Sequence, residues 1–506
     1  MRRLESLAVL MPALIVAGCG TPAIDMAPAR PDQPWRPATS ADGAIAFGNP
    51  QTGAAAPASS YVLPPNPRLA TVAPPPSIDP EHAYTLAELI DIAQSSHPET
   101  RVAWDNARRA ALSEGIAQSA YLPHLTASVI GGQRSTHGTQ GGIDGSTSSS
   151  GTMSALSLEW LLFDFGQREA LVEAAQQTAI ASNIAFTATH QRIIHEVCLA
   201  FYANDAAQAR VAITAASLKN AEDVEAAVKD RYGHGIGTVI EVAQARQATA
   251  QARLANVQAR GRDQDAKLAL VTAMGVSPFT RFKVTDLSGR KLSKASLQPV
   301  ERIVSDAIAR RPDVLGAYAL QRASAAAVLA AEADFRPKVF TSVSGAYGTG
   351  RLDVTAVPPV GQQSGTFNLS GGHWGSTVLL GVTVPLYDAG LRKSVLGQAR
   401  ATADAATATT ERVRDEAVRQ IVAAQNALET TLEANEASQA LEVAAHTSYD
   451  AAFEAYRHGV GTTTAVTLAA TQLLQAQEAV IEARSGALSA AATLAFATGA
   501  LGAAPN

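Results

Sequence analysis

Two short stretches decide how this chain is read: RYGHGIGT at residues 231–238 and AYRHGVGT at residues 455–462. Their histidines, His234 and His458, stand 224 positions apart, and so do their last glycines, Gly237 and Gly461. A glycine-punctuated phrase written twice at one spacing is either a repeated ligand loop or a repeated turn, and the flanking sequence decides between them.

Upstream of the first phrase, residues 167–232 contain neither proline nor glycine. At about 1.5 Å per residue that stretch makes a helix on the order of 100 Å, too long for a compact globule. Ile194, Val197, Phe201, Val211 and Leu218 fit a 3-4 seam along it, as do Leu473, Ala476, Val480, Ala483 and Ala487 near the C-terminus. Helical sequence resumes from Val239 to Met274, about 50 Å long. Each long stretch therefore reads as an antiparallel helical hairpin with the glycine phrase at its tip. Gly235 and Gly237, like Gly459 and Gly461, allow positive φ and a reversal within a few residues.

The repeat extends well beyond the tips. Residues 97–123 match 311–337 at an offset of 214, each copy helical and ending in a proline, Pro123 or Pro337. LFDFGQR at 162–168 matches LYDAGLR at 386–392 at an offset of 224, and LALVTAMGV at 268–276 matches ATLAFATGA at 492–500 at the same offset. The ten-residue difference falls between helix and LFDFGQR or LYDAGLR, where each copy carries two alternating runs. Leu125, Ala127 and Val129 face Leu156, Leu158 and Trp160 across the loop 134–152. Val339, Thr341 and Val343 face Val378, Leu380, Val382 and Val384 across the loop 347–376. Period-two alternation predicts strands with one apolar and one wet face, four strands in all. Pro123, Asp164, Gly166, Pro337, Pro385, Asp388 and Gly390 mark the joints between strands and helices, with Asp164 and Asp388 expected as helix N-caps. Residues 276–305 have no partner in the other copy and read as a linker packed outside the helices.

Of 506 residues 47% are hydrophobic, but only 5% are aromatic and 17% charged, and alanine supplies much of the apolar share. Alanine favours helix and buries little area, so stability must come from long, closely packed helices. A net charge of −5 gives no reason to expect a nucleic-acid partner. Arg2 and Arg3 precede a short apolar run that ends in Val16-Ala17-Gly18-Cys19, a signal sequence resembling a bacterial lipobox with Cys19 as the lipidated residue. Gly20 follows where aspartate would signal inner-membrane retention, so the outer membrane is implied. That leaves Cys198 alone, with no intrachain disulfide and the character of a small buried hydrophobe. No run of 18 apolar residues occurs in the mature chain, so any membrane crossing must use strands. No phosphate-binding loop, H-E-x-x-H or G-x-S-x-G is present, and His190 and His195 fall on different helix faces. The expectation is therefore a protein without enzymatic, metal or cofactor chemistry.

Four strands cannot close a barrel alone, and open edges in lipid would leave backbone groups unsatisfied. An oligomer must close it. In its order of elements, duplicated behind a lipobox, the chain resembles the TolC-like outer membrane factor family over residues 84 to about 500. The resemblance implies a mainly α protein with β. Three copies, a homotrimer, would share a 12-stranded outer-membrane barrel above a periplasmic tunnel of long helical hairpins. It also implies docking to a periplasmic adaptor and an RND or ABC inner-membrane pump, to pass drugs or secreted proteins outward.

On that resemblance the expected organisation is a signal peptide over 1–18, then the lipidated cysteine and a Pro/Ala-rich extension over 19–83. A first repeat over 84–275, the linker 276–305 and a second repeat over 306–506 complete it. The tips Arg231, Gly235, Ile236, Gly237, Arg457, Gly459, Val460 and Gly461 are the implied adaptor-docking residues. Some family members narrow the entrance with aspartates after the second tip. Thr467 and Ala470 stand at those places here, with Glu241 the acidic residue nearby. His234 and His458 would put six imidazoles near the mouth of a trimer, a candidate pH-sensitive element. A lipid-anchored adaptor or a coiled-coil scaffold without a pore are the alternatives. The first has one hairpin and no duplication, and the second leaves four strands unexplained.

Overall fold

The computed structural model describes residues 38–39, 45–46, 78–140, 143–285, 299–350, 352–354, 367–369 and 374–501. The signal segment 1–18, Cys19 and most of the extension 19–83 lie outside the described residues. The chain separates into a unit of residues 1–74 and a unit of residues 75–506. In the first, β1 (Ala38–Thr39) pairs with β2 (Ile45–Ala46).

The second unit runs through one order of elements twice. β3 (Ala83–Tyr84), α1 (Leu86–Ser96) and α2 (Pro98–Ser119) lead to the hairpin β4 (His124–Gln140) and β5 (Ile143–Phe163), then to α3 (Gln167–Gly233) and α4 (Val239–Ala273). β6 (Lys283–Val284), α5 (Val300–Ile308) and α6 (Pro312–Ala333) lead to β7 (Lys338–Gly350), β8 (Leu352–Val354), β9 (Phe367–Leu369) and β10 (Trp374–Thr383), then to α7 (Leu391–Arg457) and α8 (Thr463–Ala497). α3 and α7 have 67 residues each, and α4 and α8 have 35 each. Pro98 and Pro312 open α2 and α6 at the first helical position, where the missing N–H costs nothing. Thr85 and Glu88 form a reciprocal capping box on α1. The backbone and side-chain donors of Thr85 hold the Glu88 carboxyl down to about 2.

β10, β7, β5 and β4 form one antiparallel sheet in that order. Its register sorts the side chains into rows. Leu125, Leu158, Val343 and Val378 cross all four strands as one row, and the adjacent row on the other face is Thr126, Ser157, Ser344 and Thr377. Val129, Val378, Leu380 and Val382 are 62–77% exposed, whereas Ser344, Ala346 and Met153 on the hydroxyl-bearing face are buried. The aliphatic face is therefore the exposed one, and on the central strands β5 and β7 the hydroxyl-bearing face is the more buried. Aromatic residues bracket this face, with Tyr347 paired to Trp374 at one end and Trp160 donating to the Tyr121 carbonyl at 2.9 Å at the other. Such brackets mark the two interfaces of a bilayer.

Three levels of packing share one arrangement. In the sheet the series is β4, β5, β7, β10. Beside it, α3 packs on α2 and α6, and α6 on α7. At the tip end, α3 packs on α4 and α8, and α8 on α7. At every level an element of the first half and one of the second half stand at the outer positions. A core of Leu89, Ile193, Val197, Phe201, Leu270, Met274 and Leu488 joins α1 to α3, α4 and α8, and β3 pairs in parallel with β6 beside it. Burial pushes the Cys198 thiol up to about 11, as expected of an inert core residue.

Several expectations need correction. The loop 134–152 is largely strand, because β4 and β5 pair as far as Gln140 and Ile143. An antiparallel ladder satisfies the backbone of Ser, Thr and Gly as well as that of apolar residues, so polarity did not end the strands. The second loop, 347–376, contains the end of β7, the small pair β8 and β9, and the start of β10. The boundary at 305/306 falls inside α5, and the boundary at 83/84 divides β3. α5 starts 214 positions after α1 and packs on α7 as α1 packs on α3, so the end of the supposed linker does have a counterpart. α6 is long and apolar enough to cross a membrane by length and composition. Its Ala319, Ala323, Ala326 and Ala330 are buried where it packs with α3 and α7, and its Leu315, Tyr318, Leu320 and Leu329 are exposed.

Candidate functional site: the hairpin tips and the strand-to-helix joints

At each tip the helix ends in a Schellman arrangement. Gly235 N–H donates to the Tyr232 carbonyl and Ile236 N–H to that of Arg231; Gly459 and Val460 repeat this on Tyr456 and Ala455, all at 3.0 Å. Gly235 and Gly459 have φ of +73° and +80°. Gly237 and Gly461 are needed for a different reason. A Cβ there would lie 3.0 Å from the Tyr232 nitrogen and 2.8 Å from the Tyr456 nitrogen. The next helices are capped by Thr238 and Thr462. Glu241 completes a capping box on Thr238, and the backbone and hydroxyl of Thr238 hold its carboxyl below the usual range. α8 has Ala465 at that place.

The two tips differ in surroundings. Val224, Val228, Val242, Ala245, Tyr449, Tyr456, Val466 and Leu473 form one apolar cluster that draws on all four tip helices. Tyr456 is 2% exposed, while its counterpart Tyr232 is 47% exposed. Tyr456 belongs to that cluster and Tyr232 does not; Arg231 adds to the cover, its guanidinium donating to the Tyr456 carbonyl at 2.9 Å and lying 4.9 Å from the centre of the Tyr456 ring. Arg457 stays on the surface, paired with Glu454 at 3.0 Å. Ile236 and Val460 are 69% and 83% exposed at the ends of the hairpins. His234 and His458 lie exposed beside Asp230 and Glu454. Thr467 and Ala470 are half-buried on α8.

The joints also correct an expectation. Asp164 and Asp388 are not the N-cap residues; Gly166 and Gly390 hold those positions, with φ of +96° and +87°. Each aspartate instead reaches over the glycine to accept the first-turn N–H of Arg168 or Arg392, at 2.9 and 3.1 Å. The backbone donors of Arg392 and Gly390 hold the Asp388 carboxyl below its ordinary range. The same arginines close the joints. Arg168, 7% exposed, pairs with Asp164 at 3.0 Å, donates to the carbonyls of Ala120, Leu161 and Leu162, and lies over the Tyr121 ring. Arg392 pairs with Asp388 at 2.9 Å and Asp334 at 3.1 Å, and Arg336 donates to the Phe165 carbonyl. Pro123, Pro337 and Pro385 flank these turns. Arg168, Arg392 and Tyr456 were not among the expected site residues. The aspartate and arginine four apart in both LFDFGQR and LYDAGLR was the available signal for the first two.

A model of the family described as outer membrane efflux protein matches residues 89–276 and again 303–500. Outer membrane protein OprJ of Pseudomonas aeruginosa is 27% identical over 376 residues, 74% of this chain and 75% of its own length. The probable efflux pump outer membrane protein TtgC of Pseudomonas putida is 26% identical over 417 residues, 82% of each chain. A crystal structure of a membrane protein from Pseudomonas aeruginosa superimposes with a TM-score of 0.70 at 25% identity, covering 82% of this chain and 93% of the other.

Proposed function

Because this chain belongs to the outer membrane efflux protein family, we propose that it forms the outer-membrane conduit of a tripartite efflux or type I secretion system. The observation that carries the reading is the sheet. One aliphatic row and one hydroxyl row cross all four strands, and β4 and β10 stand at its outer positions. In lipid those outer strands need further strands as partners. Three copies joined β10 to β4 supply twelve strands, with the hydroxyl face toward a water-filled lumen. The same head-to-tail step joins α7 to the next α2 and α4, so one rotation closes all three levels. The repeated order of elements reflects an internal duplication, whose first copy begins at β3 and whose second begins at β6.

The tips form the periplasmic mouth. Ile236 and Val460 are the residues offered to a periplasmic adaptor, flanked by Arg457, while Gly235, Gly237, Gly459 and Gly461 shape the turns. Arg231 acts behind them, positioning the second tip against the first. Cys19 carries lipid that anchors the N-terminus in the outer membrane, after removal of residues 1–18, and an inner-membrane pump of RND or ABC type completes the assembly. Ile236→Asp and Val460→Asp should each abolish adaptor crosslinking and efflux while the purified protein keeps its single-channel conductance in planar bilayers. A chain that gives no conductance and runs as a soluble monomer without its lipid would refute the channel and favour an anchored scaffold.

A further inference from the structure

Near the C-terminal end of α8, its contact with α3 is uncharged. His195 of α3 lies 3.1 Å from the Thr493 hydroxyl and stacks on the Phe496 ring at 4.6 Å, and burial pushes its imidazole below the ordinary value. Ser489 stands one turn of α8 from Thr493, toward the tips.

The same positions in the other half of the repeat, 224 residues away, are different in character. Thr493, Phe496 and Ser489 become Ala269, Thr272 and Asp265 on α4, and His195 becomes Arg419 on α7. Ala269, Thr272 and Asp265, with His97, Glu99 and Glu196, line an open cleft of about 610 Å³, roomy enough for a long side chain. It exists because His97 stands where the second half has Arg311. That guanidinium fills the equivalent space by donating to Asp313, Gln420 and the Ala497 carbonyl. Carboxylates outnumber cations around the cleft. Arg192 pairs with both Glu99 and Glu196, the latter at 2.7 Å, whereas Asp265 is exposed and has no ion pair among the described residues, with Arg262 or any other cation. Arg419, 70% exposed, has the opposite surplus. Glu416 on its own helix takes Nε and one terminal nitrogen, which leaves the other terminal nitrogen free to donate.

We infer that the cleft is a socket for Arg419 of a second copy of this chain, so that the seam between copies is held by charge where the seam inside the chain is aromatic. Two positions change together. The inner seam has neutral His195 with Ser489, and the outer seam has Arg419 with Asp265. A guanidinium entering beside Ala269 reaches a carboxylate one turn along α4, and can bridge it to Glu416. The inference rests on the trimeric channel proposed above. It adds what makes the outer seam specific: α7 fits α4 of the next copy and not α8, where Thr493 and Phe496 offer Arg419 no carboxylate.

Charge reversal in the full-length protein tests it. Arg419→Glu and Asp265→Arg should each lower by several degrees the temperature at which purified trimers dissociate in mild detergent, and the double variant should recover most of the loss. Raising salt from about 0.1 M to about 1 M shortens the screening length from about 10 Å to about 3 Å, and should lower the dissociation temperature of the unsubstituted trimer more than that of Arg419→Glu. Contact is read separately, with a short bifunctional thiol reagent in a Cys198→Ser background. Arg419→Cys with Ala269→Cys should give covalent oligomers, whereas His195→Cys with Thr493→Cys should give bridged monomers. In trimers that still form, absence of rescue by the double variant, or of covalent oligomers from the first pair, would overturn the socket and leave the channel standing. A chain that stays monomeric in detergent and in lipid would overturn both.

Discussion

The two strand-to-helix joints use the same residues and live in different surroundings. At the first, the Asp164 and Arg168 side chains are 7% and 8% exposed, and the guanidinium closes three carbonyls from two segments. At the second, the equivalent pair is 24% and 29% exposed, and Leu386 and Tyr387 are 93% and 90% exposed. The second half of the chain covers the first joint, through Gln167 donating to Asp334 and Arg336 donating to Phe165. Among the described residues, Asp334 reaches the second, pairing with Arg392 at 3.1 Å, and leaves it part-exposed. Copies of one motif can thus carry different energetic weight by position alone.

The contrast is sharpest in paired substitutions. Arg168→Ala leaves a buried aspartate without its partner and three carbonyls without a donor, at a cost of about 3–5 kcal/mol. Arg392→Ala, in the half-open joint, should cost about 1 kcal/mol or less in the isolated chain. Denaturation of the two variants in detergent would measure the gap, and equal losses would show that the joints are equivalent after all.

The tip glycines make a smaller contrast. Gly461→Ala drives a methyl against the Tyr456 backbone, which cannot yield as a side chain can, and should cost about 1–3 kcal/mol. Gly459→Ala meets open space and loses only the left-handed preference, about 1–2 kcal/mol. Thermal unfolding followed by circular dichroism should rank Gly461→Ala below Gly459→Ala in stability.

The smallest effect expected is a difference between the tips in acid. Glu241 caps α4 as a carboxylate, and its folded-state pKa is depressed by Thr238. The cap's contribution is therefore complete above the ordinary glutamate value of about 4.3 and is lost as pH falls through the lower folded value. α8, capped by Thr462 with Ala465 in place of the acid, has no such dependence. Hydrogen exchange should show the first turn of α4 loosening below about pH 4 while that of α8 does not. Parallel behaviour of the two helices would remove Glu241 from the account.

Most of the fold was legible in the sequence because its signals are local and repeated. The 67-residue α3 follows from the absence of glycine and proline over 167–232, and α7, which carries Gly397, from the repeat; that Val343 and Val378, and Leu125 and Leu158, lie on an apolar face follows from alternation. Polar strand ends were not legible, since the ladder that holds residues 134–140 is made of backbone rather than side chains. Nor was the counterpart of α1, because Val300–Ile308 keeps the helical pattern of α1 with little of its sequence.

By itself the sequence determined the turns, the helix lengths and the alternation of the strands, all of which depend on residues a few positions apart. Only the tertiary structure decided that Arg231 belongs to the second tip rather than to solvent, that Tyr456 is buried where Tyr232 is bare, and that Arg168 is sealed where Arg392 is not. Those outcomes depend on which half of the chain lies against which, and identical local sequence carries no information about its neighbours.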